Sequence, residues 1–273
     1  MRDVGSTAGW RSDRLSHWQV LRRILDEGKR VSPLLQAPWV TTDIFRIDWL
    51  HCADQGVTAD YLANLFRVIA SKLPGANIKE RTADLWRRIQ LKYEAGDVQD
   101  RLQNLLPTML KQPKKAPKLR ASAAQCRALV PIAHALAQEL LGAEPAEAAA
   151  KQGMVHLMHC YEALSATSIF SSDTLREQSI KFALQYVALE DISVAAGDLA
   201  SWRVKPKLHL FLEVCSDGSK PAYFWCYRDE DYGGMVAHLS HRRGGLLSVE
   251  AFLRNVLDKF RIKEPVVRML AVY

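Results

Sequence analysis

Apolar residues three and four places apart dominate this chain, and the pattern predicts helices along most of it. Leu15, Trp18, Leu21 and Leu25 mark a first helix that Gly28 ends. Residues 31–40, VSPLLQAPWV, hold two prolines and predict extended chain. In DIFRID, Ile44, Arg46 and Asp48 alternate with Phe45 and Ile47, which predicts a short strand ending at Asp48. Thr58 is placed to cap a helix that carries Leu62, Leu65, Phe66, Ile69 and Leu73 on one face and stops at Pro74-Gly75. Asn77, with Glu80 three residues on, forms a capping pair for a helix to Ala95 whose inner face carries Ile78, Leu85, Ile89 and Tyr93.

A further helix is predicted over 98–111, followed by PKKAPKLR at 113–120, the clearest linker or exposed loop in the chain. Three stretches rich in alanine and leucine, 122–142, 146–166 and 172–199, predict helices that pack on one another. After Trp202 the pattern changes. Leu208, Leu210 and Leu212 alternate with His209, Phe211 and Glu213 as in a strand, SDGSKP reads as a turn, and AYFWCY as a second strand. A helix near Tyr232–Arg242 stops at Gly244-Gly245, Ser248 starts another, and the tail PVVRMLAVY predicts a last strand. The expected class is α+β, predominantly helical, with strands near the two ends of a long helical middle. Three segments follow: 1–57, 58–200 and 201–273.

Composition narrows the partners. With 273 residues the chain can bury a large core, and no apolar run approaches the roughly 20 residues of a membrane helix. The N-terminus lacks a secretory apolar stretch, and five scattered cysteines fit reduced thiols. A nuclear or cytoplasmic protein, not a secreted one, is expected. A net charge of +7 permits DNA as a partner, and the outer face of the 77–95 helix carries Lys79, Arg81, Arg87, Arg88 and Lys92.

Three constellations could carry chemistry. Asp48 and His51 form a D-x-x-H pattern at a strand end; the plain alternative is an N-cap aspartate beside a satisfied histidine. Asp229, Glu230 and Asp231 stand together at a helix start, where the dipole favours carboxylates, and would need further acids to hold Mg²⁺. His209, Cys215, Cys226, His238 and His241 lack the tight ligand pairs of a zinc site, so zinc is not expected. P-loop, G-x-S-x-G and G-x-G-x-x-G motifs are absent.

DIFRIDWLHCADQGVTADYLANLF resembles the D-x-x-H segment of eukaryotic cut-and-paste transposases of the Plavaka and CACTA-like kinds. WRVKPKLHLFLEV is similar to their K-P-K-x-H-x-x-x-H segment, with Glu213 in place of the second histidine. YRDEDYGGMVAHLSHRRGG resembles the segment around their third catalytic acid, and transposase-derived reading frames of dinoflagellate genomes look similar too. The resemblance implies an RNase H-like core interrupted by a long all-helical insertion. It assigns Asp48 and His51 to the catalytic core or its DNA contacts and Glu230 to the third metal-binding acid, with Asp229 and Asp231 as alternates and Mg²⁺ as the metal. The family's first two acids precede D-x-x-H, and only 47 residues stand there in this chain. The core implied is therefore partial, and the chain alone is not expected to cleave or join DNA.

The leading expectation is a transposase-derived protein or fragment with residual nucleic-acid binding through Lys79, Arg81, Arg87, Arg88, Lys114, Lys115, Arg242 and Arg243. A helical protein-interaction module using the 122–199 helices, its partners unspecified, is the second. An active Mg²⁺-dependent transposase or nuclease is the third.

Overall fold

Ser16, Asn77 and Ser122 start three helices by the same chemistry. Ser16 and Ser122 each accept the N–H of a glutamine three residues on, and the Gln19 and Gln125 side chains accept the serine N–H in return. Asn77 Oδ1 accepts the N–H groups of Lys79 and Glu80. The computed structural model describes residues 3–5, 7–11, 15–165, 167–241 and scattered positions between 248 and 258. Its α-helices are α1 (His17–Asp26), α2 (Pro33–Gln36), α3 (Ala59–Lys72), α4 (Ile78–Ala95), α5 (Pro107–Leu110), α6 (Ala123–Leu140), α7 (Pro145–Ala163), α8 (Ser172–Ala195), α9 (Pro206–Ser216) and α10 (Tyr227–His241). A π-helical segment, Leu50–Thr58, runs directly into α3.

No strand occurs among the described residues, which overturns the expected α+β class and with it the partial RNase H-like core. Thr42–Ile44 is a 3-10 turn, and Ile44 and Phe45 are exposed rather than packed on a sheet. The stretch read as a strand at 208–213 lies within α9. Its apolar run satisfies both periods, but the buried positions Leu208, Phe211, Leu212 and Cys215 follow the helical one, and Pro206 sits in the first turn, where its missing N–H costs nothing. AYFWCY has no strand to pair with; Pro221–Tyr223 is a 3-10 turn and α10 begins at Tyr227. The expected last strand and the stop at Gly244-Gly245 lie outside the described residues.

Some helix boundaries also differ. Only Pro107–Leu110 is helical within 98–111, because Pro107 holds the residue before it out of helical conformation. Thr58 has helical φ and ψ and makes no cap; the helix already runs through it. Ile78 is exposed, while Leu85, Ile89 and Tyr93 are buried as expected. Within 31–40, Ser32 and Pro33 start the short α2 instead of extended chain.

The chain forms two compact units, 1–225 and 226–273. In the first, α7 packs along α8, α6 lies on α7, and α9 lies against α8 and the π-helical segment. Aromatic rings knit these layers: Tyr61 meets Phe182 and Trp202 at 5.1 Å, and Trp49 meets Phe211 at 5.5 Å and Tyr161 at 5.6 Å. Gly153 lets α7 approach α3, since a Cβ there would collide with the Tyr61 hydroxyl, which donates to the Ala150 carbonyl. In the second unit, the described part of α10 carries Asp229 and Glu230 in its first turn. No described helix is long and apolar enough to cross a membrane.

Candidate functional site

Two lysine-bearing segments far apart in sequence meet on the first unit. The 111–120 loop is pinned by its backbone: the N–H of Lys118 donates to Leu110 O, that of Leu119 to Ala59 O and that of Arg120 to Met109 O. Leu119 is buried, so it anchors the loop in the core while Lys114, Lys115, Lys118 and Arg120 stay exposed. The second segment is Arg203–Lys207. Lys205 Nζ lies 2.9 Å from Oδ1 of the buried Asp60, and Lys207 Nζ donates to the His51 carbonyl at 2.8 Å. Gly56 makes room for the Lys207 stem, because a Cβ there would come within 2.7 Å of Lys207 Cδ.

The Leu119 bond to Ala59 sets the loop next to Asp60, and the two segments act on the same groups. Burial lowers the pKa of Lys207, and repulsion from Lys118 and Lys205 lowers it further, against the pull of Asp60. Burial raises the pKa of Asp60, while Lys205, Lys118 and Lys207 work to keep it ionised. Lys111 likewise acts on Asp198, whose carboxylate is held low chiefly by the Ser201 hydroxyl. Three lysines thus gather round one buried acid, beside the positive N-terminal end of α9. Positive charge exceeds negative on this face.

Asp48 and His51 come together. Asp48 Oδ2 accepts the His51 backbone N–H at 2.8 Å and lies 2.7 Å from His51 Nδ1. One carboxylate oxygen therefore caps the helix start and orients the imidazole. Asp229, Glu230 and Asp231 are exposed on α10, in the second unit. Successive helical residues point about 100° apart, so the three cannot converge on one ion. His209 pairs instead with Glu213, one helical turn on, at 2.6 Å.

The basic face of α4 is largely compensated by its own surroundings. Arg87 and Arg88 both bind Asp84, at 2.7 and 2.9 Å, and these contacts hold the Asp84 carboxyl below its usual range. Arg81 donates to the Gly75 carbonyl, and Lys92 pairs with Glu139. Lys79 is exposed. Arg242 and Arg243 lie outside the described residues.

Sequence reasoning missed Lys118, Arg120, Lys205 and Lys207 as one group. The signal was present in the paired K-A-P-K and V-K-P-K runs, each a proline with lysines close on both sides. It also missed a buried network in which Tyr161 donates to Asp54 at 2.5 Å and lies 2.7 Å from the Thr58 hydroxyl, joining the π-helical segment to α7. The thiols have no comparable role in such a site: Cys52, Cys126, Cys160 and Cys215 are buried, and burial pushes the Cys126 thiol up to about 12. No protein-family model, curated protein or solved structure matches the chain.

Proposed function

We propose that this protein binds nucleic acid by its phosphates, through the cationic face formed by the 111–120 loop and Arg203–Lys207. The observation that carries the reading is the Leu119 N–H bond to the Ala59 carbonyl, which sets the lysine-bearing loop beside the pair of Lys205 with the buried Asp60. Exposed lysines and an arginine on a pinned loop, next to a helix N-terminus, supply the charge that neutralises phosphates without reading sequence. A transposase-derived ancestry accords with the D-x-x-H and K-P-K segments and rests on them alone. Asp48 and His51 act here as a cap and its oriented partner, and their neighbour Lys207 links them to the cationic face.

The test is binding of the whole protein to a labelled duplex at low salt, with the measurement repeated as salt rises. Affinity should fall steeply. Absence of binding at low salt, or binding indifferent to salt, overturns the reading.

A second reading, protein interaction, is favoured by a different surface from the helices at 122–199. Trp18 is 76% exposed, Trp39 82% and Phe45 56%, all in the N-terminal segment. If that surface takes a protein, Trp18→Ser with Trp39→Ser lowers the self-association or partner binding of the whole chain and leaves nucleic-acid affinity unchanged. Equal association by the variant removes this reading.

A further inference from the structure

A groove of about 850 Å³ opens at the foot of the pinned loop. Its apolar lining is Leu106, Met109 and Leu119, and its charged lining is Lys115, Lys118 and Arg120. Among the described residues that line it, none is acidic. Leu106 is half exposed, and Thr108 and Gln112 add polar atoms to the same wall. A face meant only for the rails of a duplex needs cations but no apolar recess, since the faces of paired bases are covered by stacking and only their edges are accessible.

We propose that this groove receives the base of an unpaired nucleotide, so that the cationic face prefers single-stranded over double-stranded nucleic acid. The inference rests on the nucleic-acid reading above and names the substrate class within it. The base lies against Leu106 and Met109, its polar edge meets Thr108 and Gln112, and its flanking phosphates meet Lys115, Lys118 and Arg120. Two features of the ligand are thereby matched by one wall: an apolar planar group and anionic groups on either side of it. The loop's backbone bonds to α5 and to Ala59 hold the groove open in the protein as it stands, so no rearrangement is needed to form it.

Leu106 provides a variant that keeps the fold. It occupies the N-cap of α5 without a side-chain cap, so Leu106→Asn supplies a good capping residue while removing the apolar wall. The experiment compares a labelled single strand with a duplex of the same length, at one low salt concentration, for the wild-type protein and Leu106→Asn. The wild type should bind the single strand about fivefold more tightly, the low end of the range for one base on an aromatic platform, since Leu106 and Met109 offer an aliphatic surface instead. The variant should lose that preference and keep its duplex affinity. Equal wild-type affinity for the two forms, or a preference that survives in Leu106→Asn, overturns the groove's role while leaving phosphate binding in place. Failure of the wild type to bind either form overturns the nucleic-acid reading itself.

Discussion

The backbone N–H of Trp202 donates to Oδ1 of Asn64 at 3.0 Å, linking the chain before α9 to the middle of α3. Trp202 sits at φ 55°, a conformation that bulky residues rarely adopt. The Asn64 bond and the ring contacts with Tyr61 and Tyr186 hold it there. The turn so fixed sets the direction in which Arg203–Lys207 leaves, and so places Lys205 over Asp60. Asn64→Ala strands a buried N–H and should cost about 1–3 kcal/mol in denaturant unfolding. It should also weaken nucleic-acid binding at temperatures where the variant remains folded. Unchanged stability would show that the turn is held by its rings alone.

Gly153→Ala drives a methyl against the Tyr61 hydroxyl and to 3.1 Å from its Cζ. Overpacking of this kind should destabilise by about 1–3 kcal/mol. Tyr61→Phe removes the oxygen responsible for the nearest clash, although it also loses the bond to Ala150. The double variant should therefore be less destabilised than the sum of the two single variants, by a thermal-melt double-mutant cycle. Simple additivity would mean that α7 shifts away from α3 instead.

Asp60 gives the pH dependence its sign. Its folded pKa is raised above the ordinary 3.8, chiefly by burial, with Lys205, Lys118 and Lys207 opposing. The folded state therefore holds this proton longer than the unfolded chain does, and the carboxyl's contribution to stability declines as pH rises from 3.8 through the folded pKa. Above that window the difference is constant. Measured as wild type minus Asp60→Asn, the unfolding free energy should fall across this window and then level off. A difference that rises with pH would mean that the lysines outweigh burial.

The helices were legible where local chemistry decides them. Asn77 with Glu80 and the buried row Leu85, Ile89, Tyr93 can be read from the sequence because cap and stripe lie within one segment. The segment Pro206–Ser216 was not, because its apolar positions, interrupted by His209 and Glu213, fit two periods and only packing against α8 and the π-helical segment selects the helical one. Thr58 looked like a cap but is helical and bonded to Tyr161, 103 residues later in the chain. At the site, Lys114 and Lys115 were recognisable in a lysine-rich loop. The meeting of Lys118 with Lys205 and Lys207 was not, since it depends on the Leu119–Ala59 backbone bond and on the pair of Lys205 with the buried Asp60. The arginines of α4 illustrate the converse: a basic stripe by sequence, but Asp84 sits within one turn of both Arg87 and Arg88.

The cationic face is tested most directly by the salt dependence of single-strand binding for three proteins: the wild type, a loop variant (Lys114→Gln, Lys115→Gln, Lys118→Gln) and an α4 variant (Arg87→Gln, Arg88→Gln). All three loop lysines are exposed, so the fold should tolerate their loss. The slope of log K against log salt should shrink by about 0.7 for each phosphate contact removed in the loop variant, and stay at the wild-type value in the α4 variant. An unchanged slope in the loop variant, or an equal loss in the α4 variant, would contradict the assignment of phosphate binding to this face.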